Sequence, residues 1–156
     1  MSISTGQKAP SFTLVDTEKN KISLNDFKGK NVVLLFFPAA FTGVCTKELC
    51  ATRDDLAYYN NMNAQVLAIS VDSLFTQGKF KELNNLNFPL LSDFNKEVCA
   101  AYGAMYAEWV QGMKGVAKRS AFVIDKEGII RHAEILENAG DYPDFDAIKK
   151  TLDALV

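Results

Sequence analysis

Residues 31–50 read "NVVLLFFPAAFTGVCTKELC". The first seven are apolar after Asn31, with no alternation of polar and apolar positions. That pattern fits a strand buried on both faces, the kind found in the middle of a parallel sheet. Pro38 then ends it, because a proline has no N–H to give to the ladder. From Cys45 to about Asn60 the spacing becomes helical, with Leu49, Leu56 and Tyr59 near one face. Strand, short loop and helix therefore follow one another here, and Cys45 falls at or near the first turn of the helix.

The rest of the chain extends this unit. "QVLAISV" is a second buried strand. Phe75 to Leu86 is a helix with Phe75, Phe80 and Leu83 on its apolar side. "NFPLLSD" is a short extended piece and Lys96 to Tyr102 a short helix. Ser120 to Asp125 is a strand, Lys126-Glu127-Gly128 a turn, and Ile129 to Leu136 its hairpin partner. Asp144 to Leu155 closes the chain as an amphipathic helix. Ahead of the central strand, "SFTLVDT" and "NKISLNDF" read as a β-hairpin. From residue 31 the order is β-α-β-α, an irregular excursion over 88–118, then β-β-α. This predicts an α/β, thioredoxin-like fold with an N-terminal hairpin extension and an insertion before the last β-β-α unit. The excursion is too long for an ordinary loop and should carry local structure, an interface or part of a site.

Composition bounds the function. A chain of 156 residues, 48% hydrophobic, suggests one domain over 1–156 with a sizeable core. A formal net charge of −2 and the lack of any Lys/Arg block indicate neither nucleic acid nor a membrane surface as partner. No signal-peptide pattern is visible and no apolar run is long enough to span a bilayer, so a cytoplasmic location is expected. Three cysteines in such a chain point to buried thiols or redox chemistry rather than a disulfide framework. The single histidine, His132, and the absence of a C-x-x-C pair fit no zinc pattern, so neither a metal nor another cofactor is expected.

Cys45 stands where reactivity is favoured. Sites in open α/β sheets gather at the carboxyl ends of the strands, and a helix N-terminus stabilises a thiolate. A buried inert thiol is the competing reading. Thr42 lies in the same loop and can donate to the sulfur or to a bound oxygen, or simply cap the helix. Pro38 by itself reads as a strand terminator, and Cys99, followed by two alanines, as a packed thiol.

With these residues in view, "PAAFTGVC" fits the P-x-x-x-T-x-x-C motif of the peroxiredoxins at Pro38, Thr42 and Cys45. "GQKAPSFTL", "SDFNKEVCAAYG" and "KRSAFVIDKEGII" resemble further segments of that family in the same order. The resemblance implies a thiol-dependent peroxidase that reduces hydrogen peroxide and organic hydroperoxides. Cys45 would be the peroxidatic thiolate, with Thr42 and Arg119 holding the peroxide, Pro38 covering the pocket and Glu48 supporting the network. The Cys45 sulfenic acid then needs a resolving thiol. The chain resembles both the bacterioferritin-comigratory Q type and the E type of alkyl hydroperoxide reductase. The Q type implies resolution by Cys50 as an intramolecular disulfide, and the E type an external thiol. Thioredoxin, glutaredoxin or a small thiol would supply electrons to a monomer or homodimer.

Two other classes use the same fold or thiol. A thioredoxin-like disulfide oxidoreductase wants two residues between its cysteines, whereas this chain has four. A non-enzymatic redox sensor needs only one reactive thiol. Geometry also bears on Cys50. If both cysteines share one regular helix, five residues rise about 7.5 Å and turn about 140°, placing the Cα atoms roughly 8–9 Å apart. A disulfide needs about 7 Å or less, so the helix must unwind for the bond to form.

Overall fold

The structure, a computed structural model, describes residues 3–156. Its frame is one seven-stranded sheet. The strands are β1 (Thr13–Asp16), β2 (Lys21–Ser23), β3 (Asn31–Phe36), β4 (Ala64–Ser70), β5 (Leu90–Ser92), β6 (Ser120–Ile124) and β7 (Ile130–Ile135). They lie in the order β2-β1-β5-β4-β3-β6-β7. β3 pairs in parallel with β4 and antiparallel with β6, so it is interior, as its uninterrupted apolar run requires. All six of its residues are buried.

Alternate residues of β3 serve opposite faces. Val33, Leu35 and Phe37 pack with Leu49, Tyr59, Phe80, Ile148 and Leu152. These come from the helices α1 (Gly43–Asp54), α2 (Leu56–Asn61), α3 (Leu74–Leu83) and α5 (Phe145–Ala154). Val32, Leu34 and Phe36 pack on the other face with Phe12, Tyr102 and the short helix α4 (Glu97–Ala101), through Val98 and Cys99. Burying such side chains on both faces contributes about 1.5–3 kcal/mol each.

This is the expected α/β, thioredoxin-like arrangement, with three refinements. The helix expected from Cys45 to about Asn60 is two helices, broken at Asp55. The 88–118 excursion begins inside the sheet: β5 inserts between β4 and β1 and so joins the N-terminal hairpin to the core. The apolar side of α3 is not the expected one. Phe80 is buried, but Phe75 is 70% and Leu83 59% exposed. Gln77 takes the inward position instead, donating to Ser70 Oγ and to the Leu91 carbonyl, both at 2.9 Å. Phe75 and Leu83 then lie about 160° and 120° round the helix from Gln77. Through its amide nitrogen Gln77 ties α3 to β4 and β5, while its Oε1 has no hydrogen-bond partner among the described residues.

Candidate active site

The site forms where β3 ends. Ser120 pairs with Phe36 in the antiparallel register, so the start of β6 lies beside the carboxyl end of β3. That pairing brings Arg119, one residue before β6, to the loop after β3 and to the first turns of α1. Cys45 is in the first turn of α1 and is 1% exposed. Arg119 Nη2 lies 3.2 Å from Cys45 Sγ. Its Nη1 donates to Glu48 Oε1 at 2.5 Å, and its Nε and Nη2 both donate to the Ala139 carbonyl, at 3.3 and 3.0 Å. Glu48 sits one helical turn beyond Cys45 and so faces the same way. The side chains of Arg119 and Glu48 are 2% and 0% exposed.

This buried group is electrostatically unbalanced: one guanidinium serves a carboxyl and a thiol. Burial pushes the Glu48 carboxyl up to about 7, although the Arg119 charge pulls the other way. Glu48 Oε2 has no hydrogen-bond partner among the described residues, which leaves that carboxylate poorly solvated. Burial alone would lower the affinity of Arg119 for its proton. The neighbouring Glu48 and Cys45 outweigh that effect and raise it, so the guanidinium stays charged.

Thr42 occupies the position just before α1, but its hydroxyl does not cap the helix. It donates to the Ala39 carbonyl at 2.7 Å. The hydrogen is committed, and the oxygen lone pairs remain to accept from a bound O–H. Pro38 is buried at the base of this loop. Phe41 adopts a left-handed backbone, φ 66°, which is strained for a bulky residue. Its half-exposed ring meets Phe80 edge-on at 5.2 Å.

Two groups escaped the sequence reading, the Asp72 carboxylate and the Ala139 carbonyl. Asp72 follows β4, and its Oδ2 accepts from the Ala40 N–H at 2.8 Å and from Ser70 Oγ at 2.7 Å. It thus fixes the loop that carries Pro38 and Thr42. The signal was available, since Asp72 also lies at a strand's carboxyl end. The Ala139 carbonyl had no signal, because any residue supplies one.

The other two cysteines stand apart. Cys50 is half-buried near the end of α3. Its Sγ is 3.7 Å from Asn84 Oδ1 and 3.7 Å from Arg53 Nη1, and Arg53 Nη1 also donates to the Asn84 carbonyl at 2.6 Å. Both Cys45 and Cys50 lie within the unbroken α1. Cys99 packs on the opposite face of the sheet, and burial, reinforced by Asp93, pushes its thiol up to about 12.

The family model described as AhpC/TSA matches residues 5–133. A Coxiella burnetii protein named as the peroxiredoxin bcp is 45% identical over 132 residues, covering 83% of this chain and 87% of that one. Alkyl hydroperoxide reductase E of Mycobacterium bovis is 41% identical over 136 residues, covering 85% and 86%. The crystal structure of peroxidoxin BcpB from Mycobacterium tuberculosis superposes with a TM-score of 0.86 at 33% identity, covering 97% of each chain.

Proposed function

This chain belongs to the AhpC/TSA family and is a peroxiredoxin, a thiol-dependent peroxidase, and from that premise we propose that Cys45 is its peroxidatic sulfur, assisted by Arg119, Thr42, Pro38 and Glu48. The observation that carries this reading is the Arg119 Nη2 contact with Cys45 Sγ at 3.2 Å, between two side chains that are both almost fully buried.

In the proposed step, the thiolate attacks one oxygen of ROOH in line with the O–O bond. The S–O bond forms as the O–O bond breaks, the attacked oxygen keeps its hydrogen so that sulfur is oxidised to the sulfenic acid, and the second oxygen leaves as RO⁻, which takes a proton from solvent to become ROH. Charge grows on both oxygens, so donors already in place lower the barrier more than donors that must be recruited. Arg119 is such a donor, held by Glu48 and by the Ala139 carbonyl. Thr42 accepts from the peroxide O–H and orients it. Pro38 offers no N–H and keeps water from the sulfur.

Cys50 is the proposed resolving thiol. Its thiolate attacks the Cys45 sulfenic sulfur, the S–S bond forms, and the oxygen leaves as water after taking a proton. Two observations support Cys50 over Cys99: it shares a helix with Cys45, and a guanidinium stands beside its sulfur. Cys99 lies across the sheet, and its thiol holds its proton. A thioredoxin-like protein or small thiol would then reduce the disulfide. The competing reading, resolution by an external thiol, is favoured by the intact α1, which keeps the two cysteines apart in the reduced form.

Peroxide consumption with dithiothreitol tests the first assignment. Cys45→Ser should abolish it, and turnover that survives would overturn the reading. Mass spectrometry after one equivalent of peroxide tests the second. Wild type should show a Cys45–Cys50 disulfide and Cys50→Ser a persistent sulfenic acid. A disulfide that disappears only in Cys99→Ser would move the resolving role there.

A further inference from the structure

We propose that a cavity remote from Cys45 binds a compact organic anion, a carboxylate with an aliphatic body of several carbons. The cavity, about 260 Å³, lies among the Lys8–Ser11 segment, the turn at Leu24–Lys28, the start of β3 and the turn between β6 and β7. It opens at the amino end of β3, a full strand of about 17 Å from the loop that follows Phe36. It also lies on the other face of the sheet from Cys45.

The walls and the rim differ in character. Ala9, Val32 and Ile124 form a buried apolar floor, with Leu24 and Phe27 half-buried above it. Lys8, Lys28, Lys30 and Lys126 stand exposed around the opening. None of these four is in an ion pair among the described residues. The one acid of the lining, Asp125, is already spent. Its Oδ1 accepts from the Glu127 and Ile129 N–H groups, and its Oδ2 from Arg131 Nε at 2.7 Å. A chain of net charge −2 has thus gathered four lysines round one apolar hollow with no free acid in the lining. Like charges so placed repel each other, and an anion relieves that repulsion while its carbon body fills the floor.

The pocket is held open by main-chain bonds. Ala9 N–H donates to the Gly128 carbonyl at 2.9 Å and Gly29 N–H to the Lys126 carbonyl at 3.2 Å. Little ordering is therefore required on binding. The volume is below the range of about 300–1,000 Å³ typical of sites for drug-sized ligands, which selects a short chain over a large ring system. Lysine, a flexible point charge, suits a carboxylate head that need not be gripped in one orientation.

The test is an amide chemical-shift titration of the full-length reduced protein with octanoate, octan-1-ol and acetate. Octanoate should give saturable shifts confined to residues 8–11, 24–32 and 124–128. Octanol, lacking the charge, and acetate, lacking the body, should each bind at least about ten-fold more weakly. Lys30→Gln with Lys126→Gln should weaken octanoate about ten-fold. Peroxide turnover with dithiothreitol should not change in this variant, so loss of binding and loss of the catalytic reading are separable. Equal affinity for octanol, shifts centred elsewhere, or undiminished binding by the double variant would each overturn the proposal.

Discussion

Replacing Glu48 by Gln isolates the charge imbalance at the site. The wild-type carboxyl is pushed from its ordinary 4.5 up to about 7 by burial, against the pull of Arg119. In the unfolded chain it titrates near its ordinary value. Between the two values the unfolded state has lost the proton while the native state still holds it. Native stability from this group is therefore fully present below about pH 4.5 and declines as pH rises through about 7. A rise of 2.5 units (7 − 4.5) corresponds to about 3 kcal/mol at 1.36 kcal/mol per unit. No discount for solvent screening applies, because the side chain is fully buried. Gln keeps an oxygen to accept from Arg119 Nη1 but has nothing to titrate. Urea unfolding of the reduced proteins, run in steps from pH 4.5 to 7.5, measures the difference. Wild type should lose about 3 kcal/mol more than Glu48→Gln over that interval, whatever the absolute stabilities at either end. Parallel stability–pH curves would refute the argument, since they would mean that Glu48 enters and leaves the fold with the same proton affinity.

Three further predictions follow from named contacts. Asp72→Ala removes the acceptor of the buried Ala40 N–H. It should destabilise the protein by about 1–3 kcal/mol and lower kcat/KM for peroxide through the loosened loop; an unchanged kcat/KM would show that the loop needs no such anchor. Arg53→Gln takes the guanidinium from Cys50 Sγ and should slow disulfide formation about three- to five-fold at pH 7. Rapid quench with mass detection should find sulfenic acid appearing at the wild-type rate in this variant. If the disulfide also forms at the wild-type rate, Arg53 has no part in resolution. Hydrogen exchange of residues 45–53 should be faster once a Cys45–Cys50 disulfide is proven to be present, because an intact helix holds the Cα atoms roughly 8–9 Å apart. Equal protection in reduced and oxidised protein would sink the unwinding requirement.

What could be read from the sequence was local, and what was missed was mostly produced by pairing across the chain. β3 was legible because burial on both faces leaves an apolar run with no alternation, and the helix after it because its spacing changes period. Cys45 and Thr42 were legible as a position, the end of a buried strand running into a helix. Arg119 was not legible from the residues themselves. It lies 74 residues from Cys45, next to Lys118, and only the resemblance singled it out. The antiparallel register of β6 on β3 creates the contact, and nothing at residue 119 alone encodes that register. α3 fails for a related reason. Its periodicity was read from apolar residues, but the inward place belongs to Gln77, whose amide finds Ser70 and Leu91 only after β4 and β5 are side by side. Ser70 also bonds Asp72, which holds Ala40. The residue that misled the reading of α3 is thus one bond from Ser70 and two from the loop carboxylate. A polar residue at a core-facing position can therefore mark a network that fixes a loop, and this one runs from α3 through the ends of β4 and β5 to the loop beside Cys45.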